Sequence, residues 1–307
     1  MDIYEGMVNI DKYSGVVIAL GNFDGLHLGH RALISRIVEL AEKENGTPAV
    51  FTFDPHPLKV LQPGSCPPIL LPKEEKIRLL SELGVELLII APFDKEIFNL
   101  SPRQFVKDIL VDKFKARSVV VGYNYTFGHK GAGNAQVLEQ LGKDFGITVI
   151  VVPPVKCEGM EVSSTFIRRL MLEGQVKKAG MLLGYNPFVV SRVVNGDRRG
   201  TEIGYPTANI ALPGDLVIPA NGVYAVRICT NGGVFTGVAN VGVKPTFDCK
   251  GPRNLEVHIF DFGREIYGEK IRVEFIDRIR GEKKFSSAGE LIAQIQIDAG
   301  AAKRILL

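Results

Sequence analysis

Five short apolar runs alternate with helix-patterned segments over the first half of this 307-residue chain, and that alternation restricts the fold more than any other feature. Val16-Val17-Ile18-Ala19-Leu20 is apolar throughout, the pattern of a strand buried on both faces. A Gly-rich turn follows, then a helical pattern from Leu28 to Glu44 with Leu33, Ile37 and Leu40 on one face. Further strands are expected at 49–53, 85–91, 119–121 and 147–152. Helices are expected at 73–83, after the Ser101-Pro102 cap, and at 135–145. Such alternation predicts a parallel sheet with helices on both faces.

Past Gly184-Tyr185-Asn186-Pro187 the pattern changes. Runs at 188–194, 223–228, 234–241, 255–260 and 270–276 are β-type and punctuated by glycine, proline and asparagine, and a helical stretch covers 288–305. This predicts an antiparallel sheet or barrel closed by a terminal helix. Two domains are therefore expected, 1–184 and 185–307. Residues 1–183 carry 21 basic and 21 acidic side chains and residues 184–307 carry 16 and 13, an excess too small to point to nucleic acid or an anionic membrane. Cys66, Cys157, Cys229 and Cys249 are far apart in sequence, which argues against a zinc site or a disulfide framework. With no signal-like N-terminus and no apolar span of about 18 residues, the reading is of a soluble, cytoplasmic protein. The sequence specifies no oligomeric state.

The polar residues follow the strands. Asn22, Asp24 and His27 come after the first, Asp54 and His56 after the second, Asp94 after the third, Asn124 after the fourth, and Ser163 to Thr165 after the fifth. The carboxyl edge of an open parallel sheet is where ligands bind. Within Gly21-Asn22-Phe23-Asp24-Gly25-Leu26-His27-Leu28-Gly29-His30, two histidines flank Leu-Gly where a helix begins. A helix N-terminus attracts phosphate, Gly29 allows close approach, and His27 and His30 can donate to phosphate oxygens as charge builds on them. Ser163-Ser164-Thr165-Phe166-Ile167-Arg168 places hydroxyls and an arginine at another helix start, again suited to phosphate.

Together GNFDGLHLGH and SSTFIR resemble the HxGH nucleotidyltransferase superfamily. Phe51-Thr52-Phe53-Asp54-Pro55-His56-Pro57, Leu100-Ser101-Pro102-Arg103-Gln104-Phe105-Val106 and Val121-Gly122-Tyr123-Asn124-Tyr125-Thr126-Phe127-Gly128 look like blocks of bacterial bifunctional riboflavin kinase/FAD synthetases. The resemblance runs over nearly the whole chain. It implies a Rossmann-like N-terminal nucleotidyltransferase followed by a β-barrel kinase. It also implies that His27, His30, Asn124, Ser164 and Arg168 line an ATP site, with His56 and Pro57 near the flavin or the phosphates.

The second half carries the resemblance further. Gly204-Tyr205-Pro206-Thr207-Ala208-Asn209-Ile210 contains the PTAN signature of riboflavin kinases, in which Thr207 and Asn209 present oxygens to Mg²⁺. Upstream, Gly196, Arg199, Gly200 and Gly204 belong to a Gly-rich basic loop able to wrap phosphates. Leu255-Glu256-Val257-His258-Ile259-Phe260 resembles the catalytic strand, which makes Glu256 the general base for the riboflavin 5′-hydroxyl. Arg280, Lys284 and Phe285 resemble a flavin- or nucleotide-contacting flap. The implied substrates and products are ATP, riboflavin, FMN and FAD, with Mg²⁺ required. No GxxxxGK[ST] and no GxGxxG after the first strand are present, which disfavours a P-loop kinase and a dinucleotide-binding dehydrogenase. A related transferase with another acceptor leaves PTAN unexplained, and the intact HxGH and SSTFIR argue against a monofunctional kinase with a decayed first module. A flavin-binding regulator should carry a nucleic-acid-binding element, whereas no basic recognition helix of the usual kind is found.

Overall fold

The computed structural model describes residues 1–196, 200, 204–243 and 253–307. They form two compact units, Met1–Ser164 and Thr165–Leu307.

The first unit is built on six parallel strands in the order β1 (Asp2–Glu5), β4 (Leu87–Ala91), β3 (Thr47–Phe53), β2 (Val16–Leu20), β5 (Ala116–Gly122), β8 (Thr148–Val152). Two hairpins, β6–β7 (Thr126–Phe127, Gly133–Asn134) and β9–β10 (Lys156–Cys157, Met160–Glu161), decorate it. The helices of this unit are α1 (Leu28–Glu44), α2 (Pro57–Leu61), α3 (Lys73–Glu82), α4 (Lys95–Asn99), α5 (Pro102–Gln104) and α6 (Ala135–Phe145). From α5 the chain runs on through a wider-wound π-helical stretch, Phe105–Lys113. Every residue of β2 and of β4 is buried, as an uninterrupted apolar run requires in a sheet covered on both faces. On α1 the buried residues Leu33, Ile34, Ile37 and Ala41 recur every three or four positions, and Asn45 closes the helix in the left-handed region at φ 51°. Ser101 caps α5 as expected, accepting from Gln104 N–H while the Gln104 carbonyl accepts from Ser101 N–H.

The strand order turns back at β2. The chain passes from β2 to β3 on one side, and β5 pairs on the other. The carboxyl ends of β2 and β5 therefore form the topological switch point of the sheet, where a crevice opens for a ligand. The loop after β2 carries His27 and leads into the first turn of α1 with His30, and the loop after β5 carries Asn124.

The second unit is a closed antiparallel barrel in the order β11 (Phe188–Val194), β12 (Ala208–Ile210), β15 (Arg253–Ile259), β14 (Gly233–Val243), β13 (Gly222–Thr230), β16 (Lys270–Arg280). Alternation along β15 buries Leu255, Val257 and Ile259 and leaves Glu256 and His258 half-buried. Helices α7 (Ser164–Leu172) and α8 (Val176–Leu183) precede the barrel, and α9 (Ala288–Leu306) ends it. The α7–α8 corner is held to the barrel by Arg278, whose Nη1 donates to the Glu173 carbonyl at 3.3 Å and Nη2 to the Asn221 carbonyl at 2.7 Å. The break between units thus precedes these helices, while the Gly184 turn leads directly into the first barrel strand.

Candidate active sites

The loop after β2 is held in an unusual conformation. Phe23, Gly25 and Leu26 all have positive φ, at 48°, 85° and 38°. For Phe and Leu this region costs about 1–2 kcal/mol each, and full burial of both side chains holds them there. The turn delivers His27 to the N-cap of α1, where Nδ1 accepts from the His30 N–H at 3.3 Å. An accepting Nδ1 carries no proton, so the neutral ring presents Nε2–H as its donor. The His30 ring stacks on His27 with centroids 3.7 Å apart, and Phe23 packs against His30 at 5.3 Å. A Cβ on Gly29 would stand 3.2 Å from the His27 ring, so glycine there preserves the stack. The imidazole of His30 is held well below its ordinary pKa, first by burial and then by His27 and Lys76. Its Nδ1 is shielded from solvent and makes no hydrogen bond among the described residues. The site therefore offers two stacked neutral imidazoles at a helix N-terminus.

A strap formed by residues 70–76 fixes this loop. Asp24, only 4% exposed, accepts from Leu70 N–H at 2.9 and 3.1 Å and from Leu71 N–H at 3.2 Å. The carboxylate read from sequence as a phosphate-site residue thus anchors the loop to the chain 46 residues on. Lys76, on α3, donates from Nζ to the Asn22 carbonyl at 2.9 Å, and Thr52 Oγ1 donates to the same oxygen at 3.1 Å. Lys73 pairs with Glu5 at 2.7 Å and Asp54 at 3.3 Å. From the other side, Ser164 Oγ donates to the Asp24 carbonyl at 2.9 Å, so the start of the SSTFIR motif touches the HxGH loop directly.

The remaining expected residues of this unit fall around the sheet edge. His56 caps α2, its Nδ1 accepting from Leu58 N–H at 3.2 Å, with Pro57 at the first helical position. Asn124 is exposed beyond β5, and a Cβ on Gly122 would lie 3.3 Å from its Oδ1. A Cβ on Gly21 would lie 3.3 Å from the Phe23 ring. Ser163 is half-buried, and Thr165 and Arg168 lie past the break between units, Arg168 at 9% exposure on α7.

In the barrel, register brings the second set together. Glu256 pairs with Asn209 on one side and Asn240 on the other, so the three side chains share a face across adjacent strands. Asn254 Nδ2 donates to Glu256 Oε1 at 2.8 Å. The His258 ring, two residues along the same face, lies 2.9 Å from the Pro206 carbonyl through Nδ1 and edge-on to Tyr205 at 5.3 Å, which ties the PTAN segment to the strand of Glu256. The glycines of the upstream loop lie against the same residues. A Cβ on Gly196 would stand 2.5 Å from Asn209 Cγ, and one on Gly200 would stand 3.3 Å from Thr207 Oγ1. Gly204 has φ +83°, a conformation that favours glycine. Hydroxyl, amide and carboxylate oxygens clustered under a glycine cradle form a hard-donor set that fits Mg²⁺ carried with a nucleotide. Among the described residues no group of three or more His, Cys, Asp or Glu side chains could hold a metal ion. Arg199 lies outside the described residues.

Arg280 is committed elsewhere. Its guanidinium grips Asp298 of α9 through Nε at 3.0 and 3.1 Å and through Nη2 at 2.8 Å, while Nη1 donates to the Gly281 carbonyl at 2.9 Å. Phe285 lies under that guanidinium, 5.8 Å from ring centroid to carbon. The structure thus gives Arg280 a partner in the terminal helix that its sequence context does not announce.

The model of the FAD synthetase family matches residues 9–166, and that of the riboflavin kinase family matches residues 183–306. A Bacillus subtilis (strain 168) protein named bifunctional riboflavin kinase/FMN adenylyltransferase is 39% identical over 292 residues, covering 94% of this chain and 92% of its own. The chain belongs to the bifunctional riboflavin kinase/FMN adenylyltransferase family. An Escherichia coli (strain K12) protein of the same name is 36% identical, with 99% and 97% of the two chains covered. A crystal structure from Streptococcus pneumoniae, named as a macrolide-efflux protein, superposes with a TM-score of 0.88 at 34% identity and covers 99% of both chains. Among the described residues of the present chain, no helix is long and apolar enough to cross a membrane.

Within this riboflavin kinase/FMN adenylyltransferase, Lys76 and His258 were not legible as site residues. Lys76 sits in Lys73-Glu74-Glu75-Lys76, which reads as a solvated charge run. Its spacing to the buried Leu79 and Leu80 is the signal that places it on the inner face of α3. His258 is marked only by sharing the strand face of Glu256.

Proposed function

We propose that the two sites act in sequence on one flavin. The barrel transfers the γ-phosphoryl group of ATP to the riboflavin 5′-hydroxyl, giving FMN and ADP. The sheet edge transfers AMP from a second ATP to FMN, giving FAD and pyrophosphate. Residues 1–184 serve adenylyl transfer and 185–307 serve the kinase, the α7–α8 segment being shared between a motif of the first and the packing of the second. Small molecules are the partners in both reactions, and the cytoplasm, where ATP is abundant, is the compartment.

In the barrel, Glu256 takes the proton from the hydroxyl as it attacks phosphorus, which raises its nucleophilicity. Asn254, at 2.8 Å, fixes the carboxylate. Thr207 and Asn209 would hold Mg²⁺, which neutralises phosphate charge when bound. At the sheet edge no covalent intermediate is needed. An oxygen of the FMN phosphate attacks the α-phosphorus, and the bond to the bridging oxygen breaks with its electron pair leaving on pyrophosphate. His27 Nε2–H donates to the oxygens on which charge grows, and the α1 N-terminus adds its dipole. Burial keeps His30 neutral, so it binds as a hydrogen-bonding group and not as a cation.

The observation that carries this reading is the register Asn209–Glu256–Asn240 beside PTAN in one unit, together with the stacked His27–His30 pair at a switch point in the other. Glu256→Gln should abolish FMN formation from riboflavin and spare FAD formation from supplied FMN. His27→Ala should do the reverse. Equal loss of both activities in either variant would defeat the assignment of one reaction to each site.

A further inference from the structure

We propose that Lys76 is a further substrate-contacting residue of the adenylyltransferase, binding the pyrophosphate end of the ATP triphosphate. The inference rests on the adenylyl-transfer reading of the first unit.

Lys76 reaches from the inner face of α3 to the loop that leads into the two histidines. An ammonium group has three N–H donors. One goes to the Asn22 carbonyl at 2.9 Å, and among the described residues the other two have no acceptor. The acidic neighbours do not use them. Asp24 accepts from the Leu70 and Leu71 amides, and Asp54 pairs with Lys73 at 3.3 Å. Burial lowers the pKa of the Lys76 ammonium and outweighs Asp24 and Asp54, which favour its charged form, while the like charge of Lys73 adds to the lowering. Lys76 also acts electrostatically on His30, whose Nδ1 is buried and without a partner. The Lys76 ammonium, with donors to spare, and the unpartnered His30 Nδ1 thus both lie by the switch point of the sheet. A single anion with several oxygens would satisfy both, and phosphate is such an anion.

The chemistry indicates which phosphates. When the bond to the α-phosphorus breaks, negative charge accumulates on the departing pyrophosphate. His27 and His30 are positioned as neutral donors, so they stabilise that charge less than a cation does. Lys76 is the lysine whose charge reaches His30, after burial and His27. A bound phosphate oxygen would also reverse the burial effect on the amine, so substrate binding and Lys76 protonation reinforce each other.

The reverse reaction, FAD plus pyrophosphate giving FMN plus ATP, isolates the contact. Lys76→Met should raise KM for pyrophosphate about tenfold or more and leave KM for FAD within about twofold, as loss of one charge-assisted contact requires. Lys76→Arg, which retains the charge, should restore most of the pyrophosphate affinity. Titration of FAD into Lys76→Met, followed by flavin fluorescence, should show retained binding. An unchanged KM for pyrophosphate would overturn the proposal. Loss of FAD binding together with pyrophosphate would also overturn it, since that marks a clamp on Asn22 alone. A wild-type chain that forms no FAD from FMN would instead sink the adenylyl-transfer reading itself, before any variant is compared.

Discussion

Replacing Gly196 by alanine tests whether Asn209 must occupy its observed place for phosphoryl transfer. A Cβ at residue 196 would stand 2.5 Å from Asn209 Cγ and 2.8 Å from Oδ1. Non-bonded carbon atoms rest at about 3.5–4.0 Å, so the amide must retreat by about 1 Å. Asn209 sits on the three-residue strand β12, paired with Val194 on one side and Glu256 on the other, so the backbone has little freedom to follow. A misplacement of about 1 Å at a group that orients the reacting phosphates costs about 10²-fold in rate, or about 2.7 kcal/mol of barrier. Steady-state FMN formation from riboflavin should therefore fall by about that factor in Gly196→Ala, while FAD formation from supplied FMN stays at the wild-type rate. Wild-type FMN formation by this variant would show that the kinase does not depend on Asn209 where the structure places it.

Three other outcomes follow from the same geometry. Removing Asp298, 3% exposed, leaves the Arg280 guanidinium without its carboxylate, so Asp298→Ala should destabilise the barrel by about 3 kcal/mol in a denaturant titration. An unchanged midpoint would mean the α9 tether is not a stabilising contact. Burial lowers the pKa of His30 in the folded chain, whereas the unfolded imidazole takes up a proton near pH 6.5. Its stabilising contribution is complete above that pH and is lost as the pH falls toward the depressed folded value. His30→Gln should flatten the decline in first-unit stability between about pH 6.5 and pH 5, and identical slopes for variant and wild type would contradict the burial argument. Gly29→Ala should slow FAD formation about tenfold, because the added methyl stands 3.2 Å from the His27 ring and tilts it away from its stack. Retained FAD formation in that variant would show the stack to be dispensable.

Much of this molecule was legible before its structure. Strands β2 and β4 are continuous apolar runs, and a run buried on both faces has no other reading. Strand β1, Asp-Ile-Tyr-Glu, was not legible because it is an edge strand that pairs only with β4 and keeps its polar residues exposed. Strand β12 closes the barrel with only three residues, all inside the PTAN segment, which is too short for periodicity to register. The histidine pair and the strand of Glu256 were visible as motifs because each is local in sequence. The roles of Asp24 and Arg280 were not, because each depends on a partner distant in sequence, the amides of Leu70 and Leu71 for one and Asp298 for the other. Charge alone did not separate a ligand contact from an internal tether. Lys76 shows the converse, a charge that reads as solvated and is instead turned inward by helical spacing.

The most direct measurement is the product time course of the wild-type chain incubated with riboflavin, ATP and Mg²⁺, resolved by chromatography. Riboflavin should be converted to FMN with release of ADP, and FAD and pyrophosphate should then accumulate at the expense of FMN. Riboflavin left intact in the presence of ATP, or FMN that accumulates and never becomes FAD, would contradict the assignment of a working site to each unit.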